Sequence, residues 1–197
     1  MKAPLARQED ALKEVVHLGS AQAASMLARL VGDVGVLVEV PRVVEVTPPQ
    51  LGWLLGGRDV RVLAATFALE GEVPGTLWWL LPIDSAERLG QRLLRRPGVS
   101  GPLSASANAA IAEAANIVAS ACCSSMGAML KAKMLPSTPQ VSETTVEALL
   151  TENAPARTAV LAGFVSTNAP TFSGTLVLLM APEVAEDVLR RLGLASP

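Results

Sequence analysis

Two polar side chains stand out in the second half of the chain because their neighbours are apolar or small. Glu113 and Asn116 lie within residues 103–121, which are otherwise almost wholly alanine, isoleucine, valine and serine. A spacing of three residues places both side chains one turn apart on one helix face, and Ser120 continues that face. A carboxylate can bind a cation, and a carboxamide can both donate to and accept from a water molecule. Taken alone, the pair also fits a solvated polar stripe on a packed helix.

A similar polar face occurs 99 residues earlier, in the first long predicted helix. Asp10, Glu14 and His17 follow one another there at spacings of four and three residues. Glu14 falls in register with Glu113, and the only histidine of the chain falls where the second half has Asn116. A lone histidine in a helix is usually structural or solvent-facing. The shared register favours a functional or formerly functional role for His17.

The register follows from an internal similarity between the two halves of the chain. At an offset of 99, residues 75–93 (GTLWWLLPIDSAERLGQRL) lie on residues 174–192 (GTLVLLMAPEVAEDVLRRL) with eight identities in nineteen positions. We interpret this as a duplication. The halves, about 1–98 and 99–197, would each expose apolar faces if they folded alone, so we expect one domain made of two repeats.

Hydrophobic spacing and turn residues predict the elements that would position these side chains. Asp84 is predicted as the N-cap of a helix, with Glu87 completing a capping box. The predicted elements are a helix over 8–31 ended by Gly32, a β-rich run over 34–46 broken near Pro41, a short helix in PPQLGWLLGG, strands over 60–69 and 74–82, a helix over 84–94, a long helix over 104–131, a proline-marked segment MLPSTPQV, a short helical run TTVEALLTE, strands over 157–167 and 172–181, and a last helix opened by Pro182.

Composition removes several classes of function. One histidine and two adjacent cysteines, Cys122 and Cys123, exclude a multi-histidine metal site, spaced CxxC zinc sites and a disulfide framework. The cysteines are predicted to be small buried residues of a cytoplasmic protein. A net charge of -2 argues against binding nucleic acid or an anionic membrane. The longest apolar run, residues 76–83, is too short to span a bilayer, and the N-terminus is not a secretory signal.

At this point the residues resemble a known family. The stretches LKEVVHLGSAQAASMLARLVG, VEVPRVVEVTP and IAEAANIVASACCSSMGAMLKAKMLPSTPQV are similar to the two halves of the CheC/CheX/FliY phosphatases of bacterial chemotaxis, with CheC the nearest because its signature occurs twice. That signature is Asp or Ser, three residues, Glu, two residues, Asn. The second copy here keeps Glu113 and Asn116 but has Ala109 first. The first copy keeps Asp10 and Glu14 but has His17 last.

The resemblance implies a fold and a reaction. It implies one α/β domain, with a largely antiparallel sheet from both halves and two long helices side by side on one face, presenting two convex sites. It also implies hydrolysis of the aspartyl phosphate of a CheY-type response regulator, whose receiver domain supplies the phosphoaspartate, Mg²⁺ and a lysine. Glu113 would dock to that lysine and Asn116 would orient the attacking water. The chain would need no cofactor of its own, and Glu14 with His17 would form the weaker site or a docking surface without turnover.

Other functions remain open at this stage. The chain could be a non-catalytic CheC-like module that binds a receiver domain or a chemotaxis adaptor, and both departures from the signature favour this. The family's CheC also binds the deamidase CheD, for which the run TTVEALLTE is the candidate contact by position. A flagellar-switch role like that of FliY is less favoured. No phosphate-binding glycine loop is present, and Trp53, Trp78 and Trp79 are predicted to be core or interface aromatics.

Overall fold

The computed structural model describes residues 6–32, 35–95, 103–152, 157–169 and 171–194. Within these residues the chain forms six helices and eight strands. The helices are α1 (Ala6–Val31), α2 (Pro48–Leu54), α3 (Ile83–Leu93), α4 (Ala105–Leu130), α5 (Val146–Glu152) and α6 (Pro182–Arg191). The strands are β1 (Val36–Val38), β2 (Arg42–Val46), β3 (Arg61–Gly71), β4 (Gly75–Pro82), β5 (Met134–Pro136), β6 (Gln140–Thr145), β7 (Arg157–Ser166) and β8 (Ser173–Met180).

All eight strands belong to one sheet in which each described pairing is antiparallel. The main path runs β1-β7-β8-β4-β3-β5, with β2 also on β7 and β6 also on β3. Each half thus contributes its first two strands to the hairpin of the other half. The order of elements, a long helix, two short strands, a short helix, a hairpin and a helix, occurs twice. The predicted fold class is confirmed, and the duplication itself stays a prediction.

The centre of the sheet joins the two halves directly. There β4 pairs with β8, and Trp78 lies opposite Val177, the residue 99 positions later. Leu77 and Leu176, also 99 apart, both enter the larger core beneath the long helices. Residues that are 99 positions apart in β4 and β8 therefore point to the same face of the sheet, which agrees with the alignment of the two halves.

The two faces of the sheet are covered unequally. The larger core contains buried residues of α1, α4, α3 and α6 and one face of the strands. The opposite face carries a smaller cluster around Trp78, Val146 and Leu150, covered by the short helices α2 and α5. Both long helices therefore lie on the same side of the sheet and pack against each other.

The long helices α1 and α4 run antiparallel. They cross where Gly19 meets Cys122 and Met126. The start of α1 and the end of α4 are both tied to the α6 region: Gln8 donates to the Leu194 carbonyl, and Glu72 accepts from both the Lys133 backbone N–H and Arg191. Because the first residues of α1 and the last residues of α4 lie near the same region, the two helices point in opposite directions.

The helix α4 is long and apolar enough, by length and composition, to cross a membrane. In this fold its buried residues face α1, α3 and the sheet, which is the environment of a core helix. Ser104 caps its start by accepting from the Ala107 N–H, and Lys131 ends it in the left-handed region with φ 49°. Cys122 and Cys123 are free and buried within it, as predicted.

Two expectations about local structure were wrong. Asp84 does not cap α3, because β4 stays paired up to Pro82 and the helix starts at once; Asp84 instead forms an ion pair with Arg88. The run TTVEALLTE is not helical throughout, since its two threonines end β6. Trp78 and Trp79 are buried in the core, whereas 81% of the surface of Trp53 is exposed, so of the two predicted positions Trp53 does not take the core one.

The strands β5 and β6 were not predicted as strands. They lie at the edge of the sheet, where only one side is paired, and β6 is mostly polar. A polar edge strand lacks the alternation of apolar and polar residues by which strands are predicted from sequence.

Candidate functional site

The exposed face of α4 carries the second copy of the polar pattern. Ala109, Glu113, Asn116 and Ser120 are all exposed along it, while Ile111, Ala114, Ala115 and Val118 on the other faces are buried. The helix forms locally because alanine dominates its sequence and Ser104 caps it. Packing of its apolar side on the sheet and α1 then fixes which face meets solvent.

Glu113 is the only charged residue of α4. Neither Glu113 nor Asn116 makes a side-chain hydrogen bond or ion pair with any residue in the described part of the chain. Their neighbours on the helix surface are alanine, serine and the half-buried Ile117, none of which is charged. A partner molecule could therefore reach the carboxylate and the amide without displacing another side chain.

The first copy on α1 is placed differently. Glu14 is exposed like Glu113, but His17 is only half-buried, and its Nδ1 is buried without a hydrogen-bond partner. The equivalent amide of Asn116 is exposed. The imidazole is therefore partly withdrawn into the packing of α1, and the two copies do not present the same group to solvent.

The charges near Glu14 also differ from those near Glu113. Lys13 pairs with Glu9 at 2.7 Å and lies 3.8 Å from Asp10. The hydrogen bond to Glu9 is the main cause that raises the pKa of Lys13 above its ordinary value. The corresponding residue of α4 is Ala112. Sequence reasoning missed Lys13, although its spacing of four residues from Glu9 was a readable signal.

The two polar pairs lie on the same side of the molecule but apart. From the crossing at Gly19 and Cys122, the centre of the Glu14–His17 pair is about 5 Å back along α1 and that of the Glu113–Asn116 pair about 11 Å back along α4, at 1.5 Å per residue. The helices are antiparallel, so these displacements add, and the spacing between helix axes is about 8–10 Å. The centres of the two pairs are therefore about 20 Å apart.

Neither pair lies in an enclosed pocket. A small cavity lined by Ala23, Leu27, Val118 and Leu176 lies between the long helices and the sheet. No group of three or more histidine, cysteine or acidic side chains in the described ranges could hold a metal ion. An exposed carboxylate and amide on a helix surface are accessible to a partner molecule.

Comparison with known proteins supports the resemblance to one family. A model of the CheC-like family matches residues 107–143. The CheY-P phosphatase CheC of Bacillus subtilis is 28% identical over 149 residues, which are 74% of this chain and 70% of that protein. The chain is similar to proteins of the CheC/CheX/FliY family. The match to the CheC-like model contains Glu113 and Asn116 and excludes Glu14 and His17.

Solved structures share the fold of this CheC-like chain. FliY of Thermotoga maritima superposes with a TM-score of 0.78 at 14% identity, covering 99% of this chain and 100% of that one. FliM in its complex with SpeE from H. pylori gives 0.69 at 11% identity, covering 97% of each chain. CheX in the CheX-CheY-BeF3-Mg²⁺ complex of Borrelia burgdorferi gives 0.58 at 14% identity, covering 85% of this chain and 99% of that one.

Proposed function

We propose that this CheC-like protein hydrolyses the aspartyl phosphate of a CheY-type response regulator through Glu113 and Asn116. The observation that carries the proposal is the joint exposure of these two side chains, without partners among the described residues, in the segment that matches the CheC-like family. The similarity to a CheY-P phosphatase supports the substrate class.

In this reaction the receiver domain supplies the phosphoaspartate and Mg²⁺, and water is the nucleophile. The water oxygen forms a bond to phosphorus while the bond from phosphorus to the aspartyl oxygen breaks, giving aspartate and inorganic phosphate. Phosphoryl transfer has a loose transition state, so positioning contributes much of the rate. Two well-placed side chains can therefore suffice.

Glu113 would dock the receiver by an ion pair with its active-site lysine. The carboxylate suits this role because it is the single charge of α4 and has no described partner inside the chain. Asn116, one turn further along, would accept from and donate to the attacking water. An uncharged amide can hold this water without adding negative charge beside a phosphate.

The convex position of the pair also supports a site that enters its partner. The side chains of Ala109 and Ala112 are short, so they do not obstruct access to Glu113 on the α4 surface. The absence of the signature's first Asp or Ser at Ala109 would cost orientation rather than chemistry, because that position does not hold the water. We propose that Glu14 and His17 form the weaker copy, since the imidazole is half-buried.

The second candidate is a non-catalytic CheC-like module that binds a receiver domain or an adaptor. The observation that favours it is the departure of both copies from the signature, at Ala109 and at His17. The similarity of the fold to FliM and FliY also fits this alternative. Under either function we propose a cytoplasmic protein, and a CheD-like partner at α5 is proposed from position alone.

The decay of a phosphorylated receiver domain from the same cell distinguishes the two functions. We expect the decay to be faster with the wild-type chain and to return to the intrinsic rate with Asn116→Ala. Receiver binding without any acceleration would establish the binding module instead.

A further inference from the structure

The two polar pairs lie closer together than two docked receiver domains could. Both pairs are on the outward side of the antiparallel helices α1 and α4, about 20 Å apart by the helix rise and axis spacing. A compact domain of about 100–150 residues has a radius of gyration of about 13–15 Å, which corresponds to a diameter of about 35 Å. Two such domains seated side by side over the two pairs, on the same side of the molecule, would have centres about 20 Å apart and would overlap.

One exposed apolar side chain lies between the pairs. Leu18 on α1 is 40% exposed, and its carbonyl accepts from Ser125 of α4 at the helix crossing. A domain seated over Glu113 and Asn116 that extends across the crossing would cover Leu18. Burial of apolar surface favours association, so this footprint is supported by the side chain as well as by size.

We infer that the chain binds one receiver domain at a time, and that a receiver docked at Glu113 and Asn116 covers the Glu14 surface of α1. This inference rests on the proposed function, which supplies the partner. It means that the two copies of the signature compete for one partner instead of serving two. Restoring the signature asparagine in the first copy, by His17→Asn, would give the receiver a second place to bind. It would not allow a second receiver to bind at the same time.

Thiol protection tests the covered surface. We would introduce Glu14→Cys, which also disables the first copy, and react it with a maleimide carrying polyethylene glycol in the presence of a beryllofluoride-loaded CheY-type receiver and Mg²⁺. Thr151→Cys on α5, exposed on the opposite side of the sheet, is the matched control. Cys122 and Cys123 are buried and should not react.

With receiver about 100-fold above its Kd, only about 1% of the chain is free, so full coverage would slow labelling by up to about 100-fold. We expect labelling at position 14 to be at least about tenfold slower with the receiver, and labelling at position 151 to keep its rate. The protection of position 14 should be lost when Asn116→Arg is added. Undiminished labelling at position 14 in a saturated complex would overturn the inference. So would protection that survives Asn116→Arg, because the receiver would then sit on α1 itself.

The mass of the complex gives a second measurement. In His17→Asn we expect one receiver per chain at saturation, with an association constant up to about twofold higher because two equivalent orientations are available. Two receivers per chain would overturn single occupancy and leave the proposed phosphatase intact. If the receiver formed no complex with the wild-type chain or with His17→Asn, the proposed function would be overturned, and the inference with it.

Discussion

Gly19 of α1 lies so close to α4 that a β-carbon at position 19 would stand 3.0 Å from the Sγ of Cys122. It would also stand 2.7 Å from the Cγ of Met126 and 3.2 Å from the carbonyl oxygen of Cys122. The absence of a side chain at Gly19 therefore allows the close crossing of the two helices that carry the polar pairs.

The first prediction is that Gly19→Val destabilises the protein. Overpacking at this crossing should cost about 1–3 kcal/mol, more than the gain of under 1 kcal/mol from replacing a glycine within a helix. Urea unfolding would measure the change. Gln22→Ala, on the exposed side of the same helix, should stay within about 0.5 kcal/mol of the wild type. Equal stability of all three proteins would contradict the tight crossing.

The second prediction concerns the water-positioning residue. Asn116→Ala should lower the rate of receiver dephosphorylation by about 100-fold, because the amide would act on the water in the transition state. Ser120→Ala, the next exposed position on the same face, should keep most of the activity. The rate constant for loss of phosphate from the receiver measures both. Our assignment would be inverted if Asn116→Ala were fully active and His17→Ala inactive.

The third prediction concerns the first copy. At receiver concentrations well below saturation, His17→Asn should raise the phosphatase activity by up to about twofold if both copies then act equally, because either copy can then bind the one receiver. An asparagine would restore the amide that the family signature has at this position. Ser25→Asn, two turns later and exposed on the same helix, is the control for a general effect of a new amide on α1. Reduced activity in His17→Asn would assign a positive role to the imidazole.

The fourth prediction is that both cysteines are unreactive while the protein is folded. Burial raises the pKa of Cys123 to about 12 and that of Cys122 further. At pH 8 the thiolate fraction of Cys123 would then be only about 10⁻⁴, and the thiolate is the reactive form. Titration with a disulfide reagent should detect no thiol in native buffer and two in denaturant. Rapid reaction of the folded protein would show that α4 is not a core helix.

The fifth prediction is a loss of stability in acid that depends on Glu72. The pKa of Glu72 lies below its ordinary value, first because its carboxylate accepts from the Lys133 N–H and then because Arg191 donates to it. A carboxyl group with a lowered folded pKa stabilises the fold above its unfolded pKa, and this contribution is lost as the pH falls through the folded value. The pKa of Asp187 is also lowered, mainly because Arg191 donates a hydrogen bond to its carboxylate.

Urea unfolding of the wild type and Glu72→Gln at pH 7 and pH 3 tests this. We expect the variant to be less stable at pH 7 and the difference to shrink in acid, as Glu72 of the folded wild type becomes protonated. Glu70→Gln, two residues earlier at the end of β3, is the control and should change stability little at either pH. A difference that grows in acid would have the wrong sign for a carboxylate held by an N–H and a guanidinium.

Much of the fold could be predicted from the sequence because local patterns are strong there. Apolar spacing defined α1 and α4 to within two residues, and Gly32 ends α1 with φ +66° as its position predicted. Hairpin strands with apolar faces were also predicted. The edge strands β5 and β6 were missed because their pairing partner, β3, lies more than sixty residues away.

For the candidate site, the sequence by itself determined which residues share a helix face: the spacing of Glu113 and Asn116 fixes this through the helical period. Only the tertiary structure decided that this face meets solvent, that His17 is half-buried where Asn116 is exposed, and that the two pairs are about 20 Å apart on one surface. The physical reason is that spacing depends on backbone geometry within one helix. Exposure and separation depend instead on how α1 and α4 cross at Gly19 and on which sides the sheet covers.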